Sequence, residues 1–178
     1  MELFDVIDSK GNPAGQIVSR KSPCRRNSPQ NSSHMDYSEK RGRVQILLQK
    51  RSQNKDSFPG KFDTSSAGHI QAGDEPLESA LRELKEELGI SATPEQLHFA
   101  GTFPISFAKE FHGKMFRDEE IAFVYIYREP VNIAELVLQT EEVEEVQWFD
   151  LEEVYEQCGK RREIFCVPEG AWEWCGVI

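Results

Sequence analysis

Four leucines, Leu77, Leu81, Leu84 and Leu88, recur at spacings of 4, 3 and 4 in the segment PLESALRELKEEL. That period lines one side of an α-helix with apolar side chains. Pro76 suits the first helical turn, where its missing N–H goes unused, and Gly89 suits the residue that ends a helix. A helix with such a stripe must bury it, so the rest of the chain has to supply an apolar layer. Away from the stripe, Glu83, Glu86 and Glu87 stand at i, i+3 and i+4, which brings three carboxylates to one side of the helix. Like charges so spaced cost about a few tenths of a kcal/mol per pair in an isolated helix. A hard cation such as Mg²⁺ or Mn²⁺, which prefers oxygen ligands, reverses the sign of that energy. The plainer alternative is a solvated acidic face relieved by Arg82 and Lys85.

The remaining segments supply the layer. The opening ELFDVIDSKGNPAGQIVSR has two short apolar stretches around a cluster of turn formers and predicts an N-terminal β-hairpin. From 21 to 40 the text turns polar and locally basic with little periodicity, and predicts a flexible surface loop. Strands are expected at RVQILLQKR, LHFAGTFPISFA, EIAFVYIYRE, ELVLQ and VQWFD, and a second, short helix at LEEVYEQC after Asp150. Strands outnumber helices, with helices inserted between them. The expected fold class is α/β, a mixed β-sheet covered on both faces.

Composition limits what such a unit does. At 178 residues, 1–178 reads as a single domain that buries a core without disulfides or structural zinc. Cys24, Cys158, Cys166 and Cys175 show no CxxC spacing, and no signal-peptide pattern opens the chain. They read as reduced thiols of a cytoplasmic protein. No apolar run reaches the roughly 20 residues that cross a bilayer, so no membrane partner is expected. The formal charge of −10 argues against nucleic acid as a partner. Arg25 and Arg26 read as part of a charged loop. An anionic substrate then needs a local source of positive charge, a divalent metal or a few placed cations.

Extending the acidic helix backwards, Gly68, Asp74, Arg82, Glu83, Leu84, Glu86, Glu87, Gly89 and Ile90 fill the pattern G-x5-E-x7-R-E-U-x-E-E-x-G-U, with U apolar. From average residue usage, the run from Arg82 to Ile90 with Gly68 arises by chance in on the order of one chain in a million. The stretch 68–90 resembles the signature box of the Nudix hydrolases, with Asp74 where that family usually has Glu. The resemblance implies a loop-helix-loop on an α/β/α sandwich, and attack of water on a phosphorus of a diphosphate joined to another group. Carried over by position, Glu83, Glu86 and Glu87 become ligands of one or more Mg²⁺ or Mn²⁺ ions. The Gly68 carbonyl becomes a further ligand, and Arg82 the residue that orients the glutamates. Metals on the diphosphate oxygens neutralise developing charge and lower the pKa of a bound water. They also draw an anionic substrate to a negatively charged protein.

Outside the box, the order LFDVIDSKGNPAG, LLQKRSQNKDSFPGKFDTSSAGH and EEVEEVQWFDLEEV is similar to the branch containing isopentenyl-diphosphate isomerases and their hydrolase relatives. The similarity covers most of residues 3–157 and is weakest over 21–40. The isomerases carry a catalytic cysteine immediately before the Gly-His pair, and here that position is Ala67. Their upstream histidine ligands reduce to His34. His69 and Glu120 do match isomerase metal-ligand positions. The chain is therefore read as a hydrolase on an isomerase-like frame, acting on a small-molecule diphosphate, foremost a nucleoside diphosphate derivative. An isopentenyl-diphosphate isomerase and a non-catalytic nucleotide-binding module are the rivals.

A hydrolase needs a general base, either a box glutamate or a carboxylate elsewhere. Glu120, entering a strand, and Glu142, in an acidic run, are the candidates outside the box. Lys50, Arg51, Lys55 and Lys61 surround the FPG loop, where a cation can grip a phosphate. Phe103, Phe107 and Phe111 suit either core packing or stacking on a base. A monomer or a homodimer fits the sequence equally.

Overall fold

The computed structural model describes residues 3–7, 13–18, 28–40, 43–111, 114–158, 160 and 163–168. Cys24, Arg25, Arg26 and Cys175 lie outside the described residues. Strands β1 (Leu3–Ile7) and β2 (Pro13–Val18) form the expected antiparallel hairpin, with a register shift between Val6 and Ile7. They are followed by β3 (Ser28–Lys40), β4 (Arg43–Arg51), β5 (Phe62–Asp63) and β6 (Ser66–His69). Helix α1 (Pro76–Leu88) comes next, then β7 (Leu97–Phe111), β8 (Lys114–Tyr127), β9 (Val143–Asp150) and α2 (Leu151–Cys158). The strands make one mixed sheet, in which β3 and β8 run parallel and the other pairs antiparallel.

Two expectations require correction. The span 21–40 does not form a loop throughout, because Ser28–Lys40 is a 13-residue strand. It pairs antiparallel with β4 from Asp36↔Leu47 to Lys40↔Arg43, parallel with β8 from Gln30↔Ile121 to Asp36↔Tyr127, and antiparallel with β6 from Asn31↔His69 to His34↔Ser66. Ladder hydrogen bonds come from the backbone and are open to polar residues, so neighbouring edges recruit a segment whose own composition signals no strand. The stretch ELVLQ is not a strand either. Ile133–Glu135 is a 3₁₀ turn, and the residues after it turn their N–H groups to the end of α1: Val137 N donates to Leu88 O (3.2 Å) and Gln139 N to Glu87 O (3.1 Å). Those carbonyls lack partners inside the helix, and satisfying them replaces a strand ladder.

The two faces of the sheet carry separate cores. On β4, Leu47 packs with Ala80, Leu84 and Leu88 of α1 and with Tyr125 and Tyr127 of β8. Its neighbours Ile46 and Leu48 pack on the other face with Ala122, Val124, Phe103 and with Val154 of α2. This alternation is the period of two expected of a strand buried on both sides. The result is an α/β/α sandwich. Helix α1 begins at Pro76 and ends at Gly89, whose φ of 75° is the left-handed conformation that glycine adopts without strain. Gly89 N and Ile90 N then close on Lys85 O (3.0 Å) and Leu84 O (3.3 Å). Burying the leucine stripe fixes which way the glutamates face.

Candidate active site

One turn separates Glu83 from Glu87, and the leucine stripe beside them is seated on the sheet. Glu87 therefore enters the protein and is 4 % exposed. Its Oε2 accepts hydrogen bonds from Gln49 Nε2 of β4 (3.1 Å) and from the backbone N–H of Ala67 in β6 (3.1 Å). Burial pushes the Glu87 carboxyl up to about 7, against the Ala67 N–H, which favours the charged form. Glu83 lies along Gly68, where a methyl group in place of the glycine hydrogen would overlap its carboxylate. Burial pushes Glu83 up as well, opposed by the Arg82 guanidinium beside it. Glu86 faces solvent.

Arg82 ties these pieces together. Its Nη1 donates to Glu83 Oε1 (2.7 Å) and reaches Glu86 Oε2 (3.4 Å), while its Nη2 donates to the His69 carbonyl (3.2 Å). Guanidinium geometry allows one side chain to hold two carboxylates and the strand before the helix at once. The side chain of the same residue, His69, places Nε2 3.1 Å from Oε1 of Glu120, which is itself 4 % exposed.

The four cations near the FPG loop have separate fates. Gln49 points to Glu87, so its neighbour Lys50 points to the opposite face of the sheet, where it pairs with Glu144 (2.7 Å) and Glu145 (3.8 Å). Arg51 fastens its own loop, donating to Ser57 O (3.1 Å), Ser57 Oγ (3.3 Å) and Asp63 Oδ2 (3.0 Å). Lys61 lies over the Phe58 ring at 5.9 Å. Lys55 forms an ion pair with Glu142, and its charge is felt at Glu87.

The carboxylates do not form a finished cage. Among the described residues, no three His, Cys, Asp or Glu side chains are grouped as a metal site. The donor chemistry nevertheless fits a hard divalent ion: three carboxylates and the backbone of Gly68 offer oxygens. The absent side chain of Gly68 makes the space in which the Glu83 carboxylate rests. Cys166, a free cysteine, donates to Phe62 O (3.4 Å), and burial pushes its thiol up.

Gln49 escaped the sequence reading. A glutamine among ILLQ in a strand buried on both faces is the available signal, because a buried amide needs a polar partner. The Ala67 N–H has no side-chain signature at all.

A family model described as NUDIX domain matches residues 35–166. The chain belongs to the Nudix hydrolase family. It is 37 % identical over 143 residues to a Nudix hydrolase of Clostridium acetobutylicum, covering 80 % of this chain and 66 % of that protein. To a Nudix hydrolase of Yersinia pestis it is 32 % identical over 159 residues, covering 89 % and 78 %. Of solved structures, the DR0079 protein of Deinococcus radiodurans superposes with a TM-score of 0.70 at 20 % identity, covering 98 % of each chain. Gly68, Arg82, Glu83, Glu86 and Glu87 all lie within the matched residues. Among the described residues, no helix is long and apolar enough to cross a membrane.

Proposed function

We propose that this Nudix chain hydrolyses a diphosphate linkage in a small molecule, foremost a nucleoside diphosphate derivative, with Mg²⁺ or Mn²⁺. The observation that carries the proposal is the seating of Glu83 on Gly68 while Arg82 grips Glu83, Glu86 and the His69 carbonyl. That arrangement holds like charges together at the mouth of a buried carboxylate, Glu87, and gains nothing as a solvated surface.

Glu83, Glu86, Glu87 and the Gly68 carbonyl would hold the metal, with His69 and Glu120 available to a second ion. Bound there, the metal supplies charge neutralisation on the diphosphate and an acidified water. The chain's own residues orient the rest. Gln49 and the Ala67 N–H fix Glu87, Arg82 fixes Glu83 and Glu86, and Lys55 offers an ammonium to a phosphate oxygen. Of the candidate bases, Glu120 faces His69 and Glu142 faces Lys55, so proton acceptance from the attacking water is assigned to the box carboxylates.

An isomerase needs a thiol beside Gly68 to move a proton on carbon, and position 67 is alanine. The test is a panel of nucleoside diphosphate derivatives, dinucleoside polyphosphates and isoprenoid diphosphates with Mg²⁺ or Mn²⁺, comparing wild type with Glu86→Gln. Metal-dependent phosphate-containing products that disappear in the variant are expected. Equal turnover by both proteins would remove this site, double-bond migration without hydrolysis would install the isomerase, and binding without cleavage would leave a nucleotide-binding module.

A further inference from the structure

The loop after β4 and the loop before β9 are sewn together at two levels. At the backbone, Ser52 N donates across to Glu142 O (2.9 Å), and within its own loop Lys55 N donates to Ser52 O (3.2 Å). At the side chains, Lys55 Nζ donates to Glu142 Oε2. The Glu142 loop is itself fixed to α1. Glu142 N and Val143 N donate to Gln139 O (2.9 and 2.8 Å), and Gln139 N donates to the carbonyl of Glu87 (3.1 Å). Glu142 therefore stands three positions after the residue whose N–H bonds the backbone of a box glutamate.

We propose that Glu142 is a positioning residue, which holds Lys55 in the orientation that meets a diphosphate oxygen. The inference rests on the diphosphate reading above and names how one subsite is built. Lysine carries a point charge on a flexible stem, and without a partner it samples many rotamers. The loop fixes the backbone of Lys55 through Lys55 N to Ser52 O (3.2 Å), but that bond does not orient the four-carbon side chain. A carboxylate delivered from the end of α1 ties the ammonium to the same rigid element that carries the metal ligands. Glu142 then touches neither metal nor substrate and acts through Lys55. Lys50 pairs instead with Glu144 and Glu145 of β9.

The experiment compares wild type, Lys55→Gln, Glu142→Gln, Glu142→Asp and the Lys55→Gln/Glu142→Gln double variant. Inorganic pyrophosphate in Ca²⁺ is titrated by calorimetry, and kcat and KM are measured on the best compound of the panel. Loss of a charge-assisted hydrogen bond predicts that Lys55→Gln weakens pyrophosphate binding roughly ten- to a hundredfold. Loss of an ion pair of this exposure predicts roughly a two- to fivefold weakening in Glu142→Gln, carried by KM rather than kcat. The double variant should match Lys55→Gln alone, and Glu142→Asp should recover part of the affinity, a pattern that a loss of fold does not produce.

Additive effects of the two changes would overturn the proposal. So would a kcat that falls a hundredfold in Glu142→Gln at unchanged pyrophosphate affinity, the mark of a general base, or tighter binding, the mark of a carboxylate competing with phosphate. If wild type binds pyrophosphate but cleaves nothing, the hydrolase reading fails while the calorimetric cycle still judges the pair. If it cleaves a compound yet binds no pyrophosphate, the pair fails alone.

Discussion

Replacing Glu87 with glutamine should make the metal-free protein more stable at alkaline pH while abolishing its metal-dependent activity. In the folded chain the carboxyl is pushed from 4.5 to about 7, chiefly by burial. A raised carboxyl pKa means that the folded state binds the proton more tightly than the unfolded one. Its stabilising contribution is then fully present below about pH 4.5 and is lost as the pH rises through about 7. The shift of about 2.5 units, from 4.5 to about 7 at 1.36 kcal/mol each, corresponds to about 3 kcal/mol lost between pH 4 and pH 8. Glutamine has nearly the same shape, and its carbonyl oxygen can still accept from Gln49 and the Ala67 N–H.

The assay is urea unfolding with EDTA at pH 4, 6 and 8, taking the difference between variant and wild type at each pH so that other titrating groups cancel. That difference should swing by about 3 kcal/mol in favour of the variant from the lowest pH to the highest. Adding Mn²⁺ at pH 8 should restore the wild type and leave the variant nearly unmoved. A difference constant with pH would refute the claim that this carboxylate is buried at a cost, and with it the account of why a cation is needed there.

Other perturbations probe neighbouring parts of the same frame. Gly68→Ala should lower metal-dependent turnover about a hundredfold, since the added methyl displaces the Glu83 carboxylate; measured metal affinity should fall with it. Leu84→Ala, which empties a fully buried position under α1, should cost about 2–5 kcal/mol in urea unfolding. Chelation by EDTA should stop turnover, and Mg²⁺ or Mn²⁺ should restore it, in a steady-state assay on any cleaved compound.

Where the sequence speaks through side chains, it could be read. The leucine stripe, Pro76 and Gly89 placed α1 within its observed bounds, because burial and backbone conformation act on those residues directly. Glu83, Glu86 and Glu87 lie on that helix, and Arg82 contacts two of them there. Where backbone groups decide, the sequence was silent. Nothing in SPQNSSHMDYSEK announces a strand, since its partners are main-chain edges from elsewhere in the chain. The apolar run ELVLQ read as a strand for the converse reason: its composition is that of a strand, but the helix end claims its N–H groups. The four cations of the FPG loop were indistinguishable by residue type. Strand alternation sends Lys50 away from the face of Gln49, while Lys55 is placed by the loop beyond β4 and its pairing with Glu142.

The placement of β3 also bears on how the chain reaches its fold. This strand is the seam of the sheet, yet its parallel partner begins about ninety positions downstream, as the pairing Gln30↔Ile121 requires. With little apolar alternation of its own, β3 has weak means of choosing a register. Its ladder with β4 is local, with Lys40 opposite Arg43, whereas the ladder with β8 closes over about ninety positions, the kind of non-local pairing that slows folding. Synthesis therefore delivers β3 long before its parallel partner, and a chain stalled before β8 would carry the acidic helix without that strand.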